Sequence, residues 1–166
     1  MERRRLVFFP LPFQGQISPM LDLAAILHAT GFFAVSVVHT AYNSPNPANY
    51  PDFTFHRISR DGVSDSTSLE LSNVAYVLRR ICDSVAEPFR RILSELSAQG
   101  DVACVITAPN LFSVQAVASE FRIPRISLRA CSAAGHIAYA AVPVLFQNGY
   151  FNGGTGKYRF SDALLL

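Results

Sequence analysis

The amino-acid sequence predicts an α/β fold in which a parallel, Rossmann-like sheet carries helices on both faces. Three observations support this prediction. Apolar runs of strand length alternate along the chain with longer segments whose apolar residues recur at helical spacing. The strand-like runs are mostly apolar throughout, as expected of parallel strands that are buried on both faces. Half of the 166 residues are hydrophobic, so the chain can bury a sizeable core as one domain.

Five strands are predicted, near residues 5–9, 33–39, 53–57, 102–107 and 125–129. In the first strand, Pro10 and Pro12 end an apolar run, because neither proline can donate to a sheet ladder. The second and fourth runs are apolar and β-branched, whereas the third alternates and is expected to be half-exposed. A doubly wound sheet of this kind has the spatial order 3-2-1-4-5, with right-handed crossovers.

The first helix is predicted to follow a tight turn. Phe13–Gln16 is expected to form a loop, in which Gly15 allows the sharp bend. Ser18 is a good N-cap, Pro19 suits the first helical position, and Gly31 is the expected stop. In open α/β sheets such a loop lies at the carboxyl edge, where ligands bind.

Three further helices are predicted. A long helix over 71–100 follows the 3.6-residue period, and Pro88 within it predicts a kink or a division into two abutting helices. The segment 111–121 is also predicted to be helical, and Ser132 is expected to cap a last helix over 133–147. The residues of the third helix that are expected to face inward are Phe112, Ala116, Val117 and Phe121.

Composition excludes several classes of partner. The 14 basic residues are nearly balanced by 12 acidic ones, which argues against a nucleic-acid-binding protein. No apolar stretch reaches the roughly 18 residues needed to span a bilayer, so no membrane partner is expected. The three cysteines, Cys82, Cys104 and Cys131, are widely spaced and form no CxxC pair. We therefore expect reduced cysteines, no metal site and a cytoplasmic protein.

Three segments carry a family resemblance. FFPLPFQGQISPMLDLA (8–24), VSVVHTAYN (35–43) and IPRISLRACSAA (123–134) resemble, in order, the plant UDP-dependent glycosyltransferases. The resemblance implies the N-terminal half of a GT-B type enzyme that moves a sugar from a UDP-sugar to a hydroxyl of a small acceptor. It implies an acceptor-binding domain over 1–147 and a linker-like tail over 148–166. The donor-binding domain would then lie past the end of the chain, and no cofactor is expected beyond the UDP-sugar, whose site this chain does not contain.

The two catalytic positions that the resemblance implies are both substituted. The family histidine that acts as general base follows QG in the first loop, where this chain has Gln16. The family aspartate that orients it follows the fourth strand, where this chain has Ala108. An amide cannot take up a proton at neutral pH, and a methyl group can neither orient a base nor hold charge. The chain is therefore predicted to be inactive as it stands. His39, at the end of the second strand, is expected to be structural.

The carboxyl-edge loops and helix starts are predicted to form an apolar, aromatic-lined acceptor cleft, suited to a flat phenolic or terpenoid molecule. Its residues are expected to be Phe13, Gln14, Gln16, Asn110, Leu111, Phe112, Ser132 and His136. A donor supplied by another half would touch only Gln16, Ile17 and Ser18.

Two other functions are consistent with these residues. The chain could be a glycosyltransferase whose activity needs the remaining half. It could instead be a non-catalytic small-molecule-binding protein, or an interaction protein that pairs with a full-length relative.

Overall fold

Five parallel strands form one sheet, which confirms the predicted fold class and strand order. The structure, a computed structural model, describes residues 3–41, 43–58 and 74–148, apart from the side chains of 74–79 and 146. The sheet has the order β3-β2-β1-β4-β5. The strands are β1 (Arg4–Phe9), β2 (Phe33–Thr40), β3 (Thr54–Ile58), β4 (Val102–Thr107) and β5 (Arg125–Ser127).

The sheet is Rossmann-like as predicted, and the described part of the chain contains four helices. They are α1 (Gln14–Ala29), α2 (Val74–Gln99), α3 (Phe112–Glu120) and α4 (Ala133–Gln147), and a short 3-10 turn spans Pro47–Asn49. The second helix runs through Pro88 as one element, so of the two alternatives predicted there, a kink or a division into two abutting helices, the division is wrong. No helix in the described part of the chain is long and apolar enough to cross a membrane.

The core lies on the central strands. Phe8 and Phe9 of β1 are fully buried, and they point to opposite faces because side chains alternate along a strand. Phe9 meets Phe89 of α2, with ring centroids 5.6 Å apart. Burying an aromatic side chain of this size contributes about 2–3 kcal/mol, so this contact is a main anchor of α2 on the sheet.

The first helix begins earlier than predicted. Phe13 is its N-cap, in extended conformation, and its carbonyl accepts the backbone N–H groups of Gln16 and Ile17 at 2.8 and 2.9 Å. Ser18 therefore lies inside the helix, where its hydroxyl accepts a hydrogen bond from Gln14. Pro19 also lies inside the helix. A proline there removes only the bond to the carbonyl four residues back, and that residue is an exposed glycine.

The inward face of the third helix also differs from the prediction. Val114, Val117 and Ala118 are its buried residues. Ala116 is exposed, and Phe112 exposes 48% of its surface. Leu111, one residue earlier, is fully buried and fills the interior position that the periodicity had given to Phe112.

The chain divides into two compact units, one ending at Arg129 and the other starting at Ala130. The first unit contains the sheet and α1 to α3, and the second contains α4. The predicted tail, apart from Asn148, and the predicted start of the second helix at residues 71–73 lie outside the described residues.

Candidate functional site

Three connections meet at the carboxyl edge of the sheet. Phe9 and Thr107 are paired at the ends of β1 and β4, so the segments that follow these two strands start side by side. The backbone N–H of Ala108 donates to the carbonyl of Phe9 at 3.4 Å. The side-chain amide of Asn43, just after β2, donates to the carbonyl of Pro12 at 3.2 Å. The edge that the sequence predicts as the ligand site is therefore built from the exits of β1, β2 and β4.

The residues predicted to bind ligand after β1 lie in the first turn of α1 rather than in a loop. Phe13 and Gln16 are half-buried, and Gln14 is exposed. The side-chain amide of Gln14 donates to the hydroxyl of Ser18 at 2.8 Å, which holds both side chains on one face of the helix. Ile17 is buried, with 5% of its surface exposed, and packs into the core.

The connection after β4 is compact and held by hydrogen bonds. Ala108 and Leu111 are fully buried, and the N–H of Leu111 donates to the carbonyl of Ala108 at 3.1 Å. The side-chain amide of Gln115 donates to the carbonyl of Pro109 at 3.0 Å. Asn110, which lies between Pro109 and Leu111 in the chain, is half-buried. This segment presents a methyl group at position 108, in a site with no contact to solvent.

Helix α2 contributes a side chain that sequence reasoning missed. The thiol of Cys82 donates to the carbonyl of Asn110 at 2.9 Å. In return, the hydroxyl of Ser113 donates to the carbonyl of Cys82 at 2.7 Å. Burial is the main cause that raises the pKa of the Cys82 thiol. No local motif marks these residues, because the link joins positions 31 residues apart.

The histidines in the sheet have structural surroundings. His39 is buried, and its Nδ1 lies 3.0 Å from the carbonyl of Thr40 and 3.1 Å from the hydroxyl of Ser44. Its ring packs edge-on against Phe55, with centroids 6.1 Å apart. This is the structural role that the sequence predicts. His56 is half-buried in β3, and burial lowers its pKa.

Two predicted site residues lie in the second unit. The hydroxyl of Ser132 accepts the N–H of Gly135 at 3.1 Å, and its carbonyl accepts the N–H of His136 at 2.9 Å. Ser132 therefore caps α4 as predicted. Both Ser132 and His136 are exposed. The residues that the structure brings together within the first unit are those of the β1 and β4 connections.

The side chains at positions 16 and 108 offer hydrogen bonding and apolar contact. Position 16 offers an amide and position 108 a methyl group, and neither can take a proton from a hydroxyl at neutral pH. Within residues 3–41, 43–58 and 74–148, no group of three or more His, Cys, Asp or Glu side chains is arranged to hold a metal ion.

Sequence comparison finds plant relatives over most of the chain. No family model matches. A UDP-glycosyltransferase of Solanum lycopersicum, 76E1, is 40% identical over 136 residues, which cover 80% of this chain and 27% of the relative. UDP-glycosyltransferase 76F2 of Arabidopsis thaliana is 32% identical over 155 residues, covering 89% of this chain and 32% of the relative. The chain thus spans about a third of the length of the curated relatives that it matches.

Structure comparison finds the same fold. Os79 of O. sativa, solved in complex with U2F and trichothecene, superposes with a TM-score of 0.68 at 23% identity, covering 84% of this chain and 32% of that one. Phytolacca americana UGT2, solved with UDP-2fluoro-glucose and pterostilbene, superposes with a TM-score of 0.69 at 20% identity, covering 89% of this chain and 35% of that one. At these identities the likeness establishes the fold.

Proposed function

The chain belongs to the plant UDP-glycosyltransferases, of which it spans about a third, and we propose that it is an acceptor-binding domain that holds a small hydroxylated metabolite without deprotonating it. The observation that carries this proposal is the pair of residues at the carboxyl edge, Gln16 and Ala108. The hydrogen bond between the exits of β1 and β4 at this edge supports placing the ligand site there. The groups needed for proton transfer are replaced there by an amide and a methyl group.

The ligand class follows from the surfaces that the edge presents. Phe112 exposes 48% of its surface at the start of α3, and Phe13 is half-buried at the start of α1. Exposed aromatic surface beside a few polar groups suits a flat, hydroxylated molecule of phenolic or terpenoid type. Among the similar structures, one contains trichothecene and another pterostilbene, and a maize relative is a DIMBOA UDP-glucosyltransferase. We place Gln14 and Asn110 in the same ligand site, whereas Leu111, which is fully buried, only supports it from the interior.

The chemistry that is absent at this edge is general-base catalysis. Glycosyl transfer to a hydroxyl needs a base that removes the proton as the oxygen attacks, a contribution worth on the order of 10²–10⁴-fold. Gln16 can hydrogen-bond a hydroxyl but has no basic site at neutral pH. Where a donor domain is supplied, Gln16 and Ser18 are the residues that we expect to lie beside the UDP-sugar, close to the amino end of α1, whose N–H groups favour phosphate. Ile17, between them, packs into the core instead.

Ligand binding and turnover test this proposal separately. Binding of phenolic and terpenoid alcohols is measured by ¹⁵N NMR shifts, and shifts are expected at Gln14 and Asn110 at the carboxyl edge. Incubation with UDP-glucose and the bound alcohols is expected to give no glucoside above background. Glucoside formation that a His39→Gln or His136→Gln substitution abolishes would show that this chain has another base. Shifts confined to other surfaces would refute the acceptor site.

A second candidate function is pairing with a full-length relative. It is favoured by α4, on which Ile137 and Val144 expose 68% and 54% of their surface. These residues are two helical turns apart and so share one face. Co-purification with a full-length relative, lost on Ile137→Glu, would support this role.

We also propose a cytosolic location. The odd number of cysteines and their wide spacing support it.

A further inference from the structure

The 108–111 connection has its backbone carbonyls occupied, whereas one side-chain oxygen is left over. The carbonyl of Ala108 accepts the N–H of Leu111 at 3.1 Å, and that of Pro109 accepts the side chain of Gln115 at 3.0 Å. The carbonyl of Asn110 accepts the thiol of Cys82 at 2.9 Å. The buried Oδ1 of Asn110 has no hydrogen-bond partner among the described residues. A buried oxygen without a donor is costly, so a ligand hydroxyl that reaches it is favoured.

Cys82 of α2 is hydrogen-bonded both to this connection and to Ser113, in the first turn of α3 that follows it. The thiol of Cys82 donates to Asn110, and the hydroxyl of Ser113 donates to the carbonyl of Cys82 at 2.7 Å. Burial, and to a lesser extent Asp83, raise the pKa of the Cys82 thiol, against a smaller lowering by the backbone N–H of Phe112. The thiol is therefore protonated at neutral pH and remains a donor.

We propose that Cys82 and Ser113 are positioning residues, which hold the 108–111 connection against α2 so that the side-chain oxygen of Asn110 receives a hydroxyl group of the ligand. This inference rests on the proposed function, because it concerns the same ligand site. A fixed acceptor discriminates between ligands. A hydroxyl can donate to it, whereas a methyl ether cannot and leaves the oxygen unsatisfied.

Hydrogen exchange of the unliganded chain tests the positioning role. Ser113→Ala is expected to speed exchange of the Leu111 amide by roughly fivefold, the effect of losing one neutral hydrogen bond. Ser119→Ala is the matched control, since its hydroxyl donates to a carbonyl of its own helix, that of Gln115 at 3.0 Å. Cys82→Ala should act like Ser113→Ala, whereas Cys82→Ser keeps a donor and should restore slow exchange. Leu111 exchange that is the same in Ser113→Ala and Ser119→Ala would overturn the inference.

Binding of 2-naphthol and of 2-methoxynaphthalene tests the role of Asn110. The unaltered chain is expected to prefer the naphthol by roughly tenfold in Kd, and Asn110→Leu and Ser113→Ala should lose most of that preference. Ser119→Ala should keep it. Equal binding of the two molecules by the unaltered chain would overturn the inference and leave the proposed function standing. Failure to bind either molecule would count against both, and the exchange experiment would still decide whether the connection is held by α2.

Discussion

A carboxylate placed at position 108 should destabilise the chain in a pH-dependent way. Ala108 is fully buried, and the polar groups hydrogen-bonded to its backbone, the carbonyl of Phe9 and the side chains of Thr107 and Gln115, carry no charge. An Asp side chain there is desolvated without a counter-charge, which raises its pKa. If the pKa rises by about two units above the unfolded value of about 3.9, the cost at neutral pH is about 3 kcal/mol.

The direction of this pKa change determines the pH values at which stability should be compared. Because the folded pKa lies above the unfolded one, the charge-dependent cost is absent below about pH 4 and complete above the folded pKa. Ala108→Asn is the control, since it has nearly the same shape and no charge. Urea unfolding should therefore show Ala108→Asp and Ala108→Asn equally stable near pH 3 and separated by about 3 kcal/mol near pH 8. Where the two side chains meet, adding Gln16→His should reduce the difference in unfolding free energy between the Ala108→Asp and Ala108→Asn variants near pH 7. An equal difference between the Asp and Asn variants at both pH values would refute the burial argument.

Three further predictions follow from packing and burial. Phe89→Ala should cost about 3–5 kcal/mol in urea unfolding because Phe89 is fully buried, whereas Phe112→Ala at a half-exposed site should cost much less; similar costs would contradict the core assignment. Cys82 should react with iodoacetamide more slowly than the exposed Cys131, because burial raises its pKa, and mass spectrometry of the labelled peptides would reveal the opposite order. Burial lowers the pKa of His56, with Arg5 adding to the effect, so stability should fall as the pH drops below about 6.5; an equally steep fall in His56→Gln would contradict this assignment.

The sheet could be predicted because its signals are local. Each central strand is a short apolar run bounded by proline, glycine or polar residues, and parallel strands buried on both faces require that pattern. The bounds of α4 were also predicted, since Ser132 caps it and its hydroxyl accepts the N–H of Gly135. These features depend only on neighbouring residues.

The start of α1 and the interior of α3 could not be predicted, because tertiary contacts decide them. Ser18 and Pro19 are strong local start signals, yet the extended backbone of Phe13 offers a cap five residues earlier. The burial of Leu111 displaced Phe112 from the core.

The candidate site divides in the same way. The amide at position 16 and the methyl group at position 108 were visible in the sequence. The bonds between α2 and the β4 connection were not, since Cys82 and Ser113 are brought together only by the packing of α2 and α3.

We propose that the residues at positions 16 and 108 make this chain unable to activate a hydroxyl. This proposal is tested most directly by fusing the chain to the remaining part of the Solanum lycopersicum relative, 76E1, and measuring glucoside formation from UDP-glucose. The fusion carrying both Gln16→His and Ala108→Asp should exceed the unmodified fusion by on the order of 10²-fold or more. Gln16→His alone should recover part of this rate, and Ala108→Asp alone almost none, because base and orienter act as a unit. An unmodified fusion that is already as fast as the double variant would contradict the claim.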